Sequence, residues 1–193
     1  MKCADFEPFA VNNPALLLMS PMARHHQSFA SVLEEAQSKK VFLVQDSSPS
    51  REERIQVLAQ TDPALSAILS VIHFEWTARR SIIALGTSPN IDIREKLKYC
   101  HGCEKYKDLW KEEVAPNVNQ RLPDIVKDWQ GLRRAFSLRH RLVHGTSSCG
   151  AEYARDRMIW AIAACQDIRA VCASYNTDID ARLPVRRRSK SKN

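Results

Sequence analysis

Residues 122–145 read LPDIVKDWQGLRRAFSLRHRLVHG. Their apolar side chains recur in steps of three, four or seven, at Leu122, Ile125, Val126, Trp129, Leu132, Phe136 and Val143. This spacing is typical of one amphipathic helix. We expect it to start at Pro123 and to end at Gly145, because proline suits the first turn of a helix and glycine suits the position after the last turn.

Similar patterns predict further helices. A long helix should start at Asp62-Pro63 and end at Gly86, with an apolar stripe at Leu65, Ile68, Leu69, Ile72, Trp76 and Ile83. Another should run from about Glu152 to Tyr175, with Met158, Ile159, Ile162, Cys165, Cys172 and Tyr175 on its apolar side. Residues 89–113 should be helical in pieces, and Pro116 should interrupt them. Four such helices with short connections predict an all-α protein built as a helical bundle.

The chain divides into three parts by composition. Residues 1–60 are expected to form an N-terminal extension, with a helix at about 22–38 and a second helix that a capping box at Ser50 and Glu53 would open. Val41–Val44 is short, apolar and β-branched, so it is either one strand or a buried connector. Residues 61–176 would form the bundle, and residues 177–193 a basic, disordered tail.

Positive charge is concentrated in that tail. The chain carries a net charge of +7, and five of its cations are Arg186, Arg187, Arg188, Lys190 and Lys192. The remaining residues are nearly balanced in charge. A basic tail speeds association with nucleic acid, but it can also be a solvated segment that keeps a protein soluble, and charge alone does not separate the two.

Composition also limits the function classes. The sequence shows no signal peptide and no stretch long enough for a membrane span, so a cytoplasmic protein with reduced thiols is expected. Cys100 and Cys103 form a Cys-x-x-Cys pair, for which zinc would need two further ligands; whether this pair binds metal is left open. A Gly-rich phosphate loop, a nucleophile elbow and a His-Glu-x-x-His motif are all missing. No cofactor is therefore expected.

The end of the 122–145 stretch carries the chemistry. The apolar spacing calls for apolar side chains at positions 139 or 140, but the sequence places Arg139 and His140 there. A guanidinium grips a phosphate with two hydrogen bonds, and an imidazole can take up and return a proton near neutral pH. Arg139 and His144 diverge by about 140° on an ideal helix. They would converge at a frayed last turn, or across a symmetric dimer.

The segment Arg139-His140-Arg141-Leu142-Val143-His144 resembles the signature of the HEPN (higher eukaryotes and prokaryotes nucleotide-binding) superfamily. That signature is an arginine, usually a polar residue, three more positions and a histidine. Its setting is similar too, since the motif ends a long helix and another amphipathic helix follows. The resemblance covers about Pro63 to Tyr175, and it leaves residues 1–60 and the basic tail outside.

The resemblance implies a metal-independent endoribonuclease that works as a homodimer, with both motifs lining one cleft. Arg139 would bind the scissile phosphate, His144 would act as general base or acid, and His140 would orient the site. Attack by the ribose 2′-hydroxyl would leave a 2′,3′-cyclic phosphate, so DNA should not be cut. Such proteins serve as toxins or antiviral effectors, which implies an antitoxin or another regulatory partner.

Two alternatives remain at this stage. Arg139 could pair with an acid such as Glu75, Glu152 or Asp156, with His144 favoured at the helix end by the helix dipole. Some HEPN members resemble non-catalytic modules that bind RNA, nucleotide or protein. A HEPN-like fold alone would therefore not establish catalysis. Polar side chains from neighbouring positions could support the cleft, and the candidates are Glu75, Arg79, Arg80 and Arg141.

Overall fold

The computed structural model describes residues 47–145 and 148–187, and within them the chain is entirely helical. The helices are α1 (Ser48–Leu58), α2 (Pro63–Leu85), α3 (Asn90–Lys98), α4 (Cys103–Glu113), α5 (Ala115–Val118), α6 (Leu122–Ile125), α7 (Trp129–Val143) and α8 (Ala151–Ser174). The helix expected at 22–38 and the strand or connector at Val41–Val44 lie outside the described residues. None of these helices has the length and apolar character that a membrane span requires.

Side-chain caps explain where the first two helices begin. The hydroxyl of Ser47 accepts a hydrogen bond from the amide of Ser50, so α1 begins at Ser48, and the capping box predicted at Ser50 and Glu53 is wrong. Asp62 accepts from the amide of Leu65 at 2.9 Å and starts α2, as predicted. The predicted end of α2 at Gly86 is also confirmed.

The stretch that was predicted as one helix forms two. Helix α6 ends at Ile125, Val126 is extended, and α7 begins only at Trp129. The carboxylate of Asp128 accepts a hydrogen bond from the amide of Gly131 at 2.7 Å and so caps the start of α7. An aspartate that bonds to nearby backbone amides favours a helix start over a helix interior, which explains the break.

The two longest helices, α2 and α8, pack along each other through small side chains. The buried residues of their shared region include Ser70, Thr77, Ala78 and Ser81 on α2, and Ala161, Ala164, Cys165 and Cys172 on α8. The hydroxyls of Ser70 and Ser81 donate to carbonyls of their own helix, which satisfies them inside the core. Short side chains allow the helices to lie close together.

The stripes predicted for these helices are therefore partly wrong. Leu65 and Ile72 of α2 are 42% and 41% exposed, and Ile159 of α8 is 55% exposed. The core of α2 instead uses its small residues together with Val71, Phe74 and Ile82. Apolar spacing alone could not find this face, because serine and threonine take up several of its positions.

Two apolar clusters hold the bundle together. The larger one centres on Phe74, Tyr106, Trp110 and Leu132, and Phe74 makes edge-to-face contacts with Tyr106 and with the half-buried Phe136. The smaller one joins α1 to the ends of α2, α7 and α8, through Ile55, Ala59, Ala67, Leu138, Ala154, Met158 and Ile162. Helix α1 thus belongs to the bundle, although the sequence placed it in an extension that ends at residue 60.

The C-terminal segment packs on the helices as far as residue 187. Ile179 is buried, and Asp180 accepts hydrogen bonds from Ser48 and Arg51 of α1. The guanidinium of Arg186 donates to the carbonyls of Ile83, Ala84 and Ser88, at and just beyond the end of α2. Residues 177–187 therefore do not form the disordered tail that the sequence predicts.

Candidate functional site

The second half of α7 carries the Arg-x4-His motif. Leu132, Ala135 and Leu138 form its buried side, whereas Arg139 is half-buried and His140 and His144 are exposed. Leu138 takes the core position that the sequence analysis assigned to Arg139 or His140. The expected conflict between charge and core is therefore wrong, and Arg139 lies instead at the edge of the core.

An open groove of about 450 Å³ runs beside this edge. One wall is the second half of α7, with Phe136, Ser137, Arg139 and His140. The other wall is the turn between α3 and α4 together with the first residues of α4, namely His101, Gly102, Cys103 and Glu104. The groove thus places one guanidinium and two imidazoles around a space large enough for a nucleotide-sized ligand.

Arg139 has unused hydrogen-bonding capacity at this groove. Its Nε atom is buried and has no hydrogen-bond partner among the residues that the structure describes. Its guanidinium interacts electrostatically with the carboxyl group of Glu75 on α2. A buried donor without a partner is costly, and because Arg139 also lines the groove, its guanidinium is the candidate group to bind an anionic acceptor there.

Glu75 of α2 is half-buried and interacts electrostatically with Arg139 of the groove. Burial raises the pKa of its carboxyl group, although the nearby charges of Arg139, Arg79 and His101 favour the ionised form. The alternative from the sequence, a pairing of Arg139 with Glu75, has only this electrostatic interaction in its favour, since no hydrogen bond or ion pair joins the two side chains in the described part of the chain.

Arg79 supports the opposite wall. Its Nε donates to the hydroxyl of Tyr106 at 2.8 Å, and its terminal nitrogen donates to the carbonyl of Cys100 at 3.3 Å. These bonds fix the turn that carries His101. Burial, followed by the neighbouring charge of Glu75, raises the pKa of Tyr106 to about 12, so this hydroxyl stays protonated near neutral pH.

The rings of the two histidines of the motif lie close together in a tilted arrangement. The ring centroids of His140 and His144 lie 4.3 Å apart, with the planes tilted by 55°. His144 follows the last residue of α7, and its amide donates to the carbonyl of His140. His140 lines the groove, but His144 is not among the groove residues. The helix thus brings Arg139 and His140 to one groove and leaves His144 beside it.

Cations and aromatic rings alternate on the surface shared by α7 and α8. The guanidinium of Arg157 lies 3.3 Å from the ring centre of Tyr153 and 4.7 Å from that of Trp160. Arg141 donates to the hydroxyl of Tyr153 at 3.1 Å, and Arg134 approaches Trp160 from the other helix. We call these five residues the arginine–aromatic face. Arg141, predicted to support the site, belongs to this face rather than to the groove.

The cysteines of the Cys-x-x-Cys pair are both buried. Burial raises the pKa of the Cys100 and Cys103 thiols, which favours the neutral thiol over the thiolate that metal binding and redox exchange require. Between residues 47 and 187, wherever the chain is described, no three His, Cys, Asp or Glu side chains cluster in a way that could hold a metal ion.

The five cations predicted for the tail have different positions. Arg186 is bound to main-chain carbonyls, so its guanidinium is not available to nucleic acid in the way the sequence analysis expected. Arg187 is exposed. Arg188, Lys190 and Lys192 lie outside the described residues.

Sequence reasoning missed the groove residues His101 and Glu104, of which His101 carries an imidazole. His101 lies between the two cysteines of the Cys-x-x-Cys pair, where the sequence analysis considered only thiol and metal chemistry.

The sequence matches no protein-family model, and no curated protein and no solved structure matches the chain. Membership of the HEPN superfamily therefore stays a prediction from the motif.

Proposed function

We propose that this protein is a metal-independent endoribonuclease whose site centres on Arg139. One observation carries the proposal: Arg139, whose buried Nε has no partner in the described part of the chain, lines a groove that imidazole side chains also line. This combination can bind an anionic phosphodiester and move protons without a metal ion. The order of residues also resembles the HEPN signature, in which the arginine and histidine serve these roles.

The chemistry follows from the residue types. Arg139 would hold the non-bridging oxygens of the phosphate and stabilise the charge that grows on them. His144 would accept the proton of the 2′-hydroxyl as its oxygen forms a bond to phosphorus. The bond from phosphorus to the 5′-oxygen then breaks, and that oxygen takes up a proton. The products would be a 2′,3′-cyclic phosphate and a 5′-hydroxyl, while His140 would orient the phosphate and His144.

A homodimer would bring His144 to the groove. His144 lies outside the groove of its own chain, so a second copy could supply it. Leu65 and Ile72 of α2 and Val143 of α7 are large apolar residues with 41–53% of their surface exposed, and Val143 is next to His144 in the motif. Exposed apolar side chains beside a catalytic motif suit a self-complementary interface between two copies.

The arginine–aromatic face supports RNA as the ligand. Arg134 and Arg141 supply positive charge there, whereas Arg157 is buried with its guanidinium against the rings of Tyr153 and Trp160. The exposed part of Tyr153 offers ring surface to an unpaired base. Because Arg141 follows the groove residues Arg139 and His140 in α7, a bound strand could reach both regions. By the resemblance, we extend the proposal to a toxin or antiviral effector that an antitoxin or another regulatory protein controls.

The first test is RNA cleavage by the purified full chain in excess EDTA. We expect cleavage of single-stranded RNA, and we expect Arg139→Ala to lower the rate by about 10²–10³-fold, as removal of one charge-stabilising donor does. The matched control is Arg121→Ala, which removes the same charge from an exposed side chain that pairs with Asp124. Equal cleavage by Arg139→Ala and wild type, or a strict need for a divalent metal, would reject the proposal. RNA binding without cleavage would identify a non-catalytic binding module instead.

The second test addresses the dimer. Arg139→Ala and His144→Ala should each be inactive alone. When they are mixed and allowed to exchange subunits, half of the dimers are mixed and each mixed dimer holds one complete site, so about one quarter of the wild-type activity should return. No recovery in a mixture that is shown to exchange subunits would mean that Arg139 and His144 act within one chain or not at all.

A further inference from the structure

Within one chain, the motif contributes one histidine to the groove. His140 shares the α7 wall with Arg139, whereas His144 lies outside the groove of its own chain. In an in-line displacement at phosphorus, the attacking oxygen and the leaving oxygen lie on opposite sides of the phosphate. One wall can supply the base for the attacking 2′-hydroxyl, but the leaving 5′-oxygen needs a proton donor on the other wall.

His101 lies on that other wall. It is exposed, it lines the groove opposite Arg139, and it follows Cys100, whose carbonyl is held by Arg79. Gly102 has a φ of 82°, in the left-handed region that glycine adopts without strain, so the turn after His101 is formed by a residue suited to it. Because Arg79 of α2 holds this turn through the Cys100 carbonyl, the backbone of His101 is fixed in position relative to the groove.

Glu75 connects the two walls. Its half-buried carboxyl group interacts electrostatically with both His101 and Arg139, one side chain from each wall of the groove. Cys103 and Glu104 complete the wall of His101. Cys103 is a buried thiol and Glu104 pairs with Lys107 and Arg133, which leaves His101 as the group on this wall best suited to transfer a proton.

We propose that His101 is the general acid of the reaction, and this inference rests on the proposed ribonuclease function. Arg139 holds the phosphate and the imidazole of the motif accepts the 2′-hydroxyl proton. The imidazolium of His101 gives its proton to the 5′-oxygen as the bond from phosphorus to that oxygen breaks. One proton is taken up and one is released, so the step balances without a metal, an oxidant or another reactant.

The first experiment compares His101→Gln with wild type on single-stranded RNA in EDTA. Loss of a general acid should lower kcat by about 10²–10⁴-fold, with KM changed by no more than about twofold. Tyr99→Phe is the matched control, because Tyr99 belongs to the same turn and is 77% exposed. His101 is itself exposed, so the variant should fold, and its thermal unfolding should match that of wild type. Wild-type kcat in His101→Gln would overturn this inference, while Arg139→Ala would still report on the ribonuclease proposal separately.

The second experiment distinguishes an acid from a positioning residue. In a substrate whose 5′-bridging oxygen is replaced by sulfur, the leaving thiolate needs no proton. His101→Gln should cleave this substrate within about threefold of the wild-type rate, whereas Arg139→Ala should remain slow. If His101→Gln is as impaired on the sulfur substrate as on ordinary RNA, His101 is not the general acid.

Discussion

Two regions of this molecule combine a carboxylate, a guanidinium and an imidazole, and they use them in opposite ways. In the first, which we call the α1 anchor, Glu52 bonds to His73, Arg169 and Gln166 inside the bundle. In the groove, Glu75 lies near Arg139 and His101, but the buried Nε of Arg139 has no partner in the described part of the chain. The same residue types therefore hold helices together in the α1 anchor, whereas in the groove they are available to bind a ligand.

The carboxyl pKa values show this difference. Burial alone would raise the pKa of Glu52, but hydrogen bonds from His73, Arg169 and Gln166 lower it to about 2. The pKa of Glu75 is raised, because burial outweighs the nearby positive charges of Arg139, Arg79 and His101. Hydrogen bonds to a buried carboxylate stabilise its ionised form, whereas burial without enough of them favours the neutral form. Four predictions test this contrast.

The largest effect should come from breaking the α1 anchor. Glu52→Gln leaves Arg169 and His73 without their carboxylate partner, and removing one member of a buried ion pair costs about 3–5 kcal/mol of unfolding free energy. Glu53→Gln is the control. Glu53 is the next residue in the chain and its side chain is exposed, so this substitution should lower the unfolding free energy by less than about 0.5 kcal/mol. Urea denaturation monitored by circular dichroism measures both. Equal effects of the two substitutions would contradict the assignment of the anchor.

Acid should weaken the same anchor. Because the pKa of Glu52 falls from 4.5 to about 2 on folding, its contribution is fully present above pH 4.5 and is lost as the pH falls toward 2. The shift corresponds to about 3 kcal/mol. The difference in unfolding free energy between wild type and Glu52→Gln should therefore shrink across this pH range. A difference that is constant from pH 5 to pH 2.5 would show that Glu52 does not titrate in this way.

Two neighbouring arginines near the C-terminus extend the contrast to the cations. Arg186 donates to several main-chain carbonyls around the end of α2, whereas Arg187 is exposed. Since hydrogen bonds from charged groups contribute about 1.5–3 kcal/mol, Arg186→Ala should lower the unfolding free energy by about 2 kcal/mol. Arg187→Ala should change it by less than about 0.5 kcal/mol. If the two variants unfold alike, residues 177–187 do not pack on the helices as described.

The smallest effect on stability should come from the groove. The folded-state pKa of Glu75 is raised, so its contribution to stability is present at low pH and is lost as the pH rises through that value. Glu75→Gln removes this loss, and at pH 7 it should leave the unfolding free energy unchanged or raise it by up to about 1 kcal/mol. It should also lower RNA cleavage. A destabilisation as large as that of Glu52→Gln would make Glu75 a structural residue instead.

The sequence predicted where the long helices α2 and α8 lie in the chain better than it predicted which of their residues are buried. Asp62-Pro63 and Gly86 mark the limits of α2 because a capping carboxylate, a proline and a glycine each act locally. The faces depend on packing between α2 and α8, where Ser70, Thr77 and Ser81 are buried and Leu65 is exposed. No periodicity of apolar residues reveals a helix interface made from small polar side chains.

The site was predictable only where its residues are close in sequence. Arg139 and His140 are consecutive in α7, and both line the groove. His101, which also lines the groove, and Glu75, which interacts with Arg139, come from other parts of the chain, and packing among α2, α4 and α7 brings them close. The break at Asp128 and the commitment of Arg186 to the end of α2 likewise depend on single hydrogen-bond partners.

The central claim is that Arg139 is left free to bind a phosphodiester that the neighbouring ribose 2′-hydroxyl attacks. The most direct measurement compares single-stranded RNA with a 2′-O-methyl oligonucleotide of the same sequence, incubated in EDTA with wild type or Arg139→Ala. We predict that wild type cuts only the RNA and leaves 2′,3′-cyclic phosphate ends, and that Arg139→Ala cuts neither at a comparable rate. Cleavage of the 2′-O-methyl strand, or unchanged cleavage of RNA by Arg139→Ala, would contradict the claim.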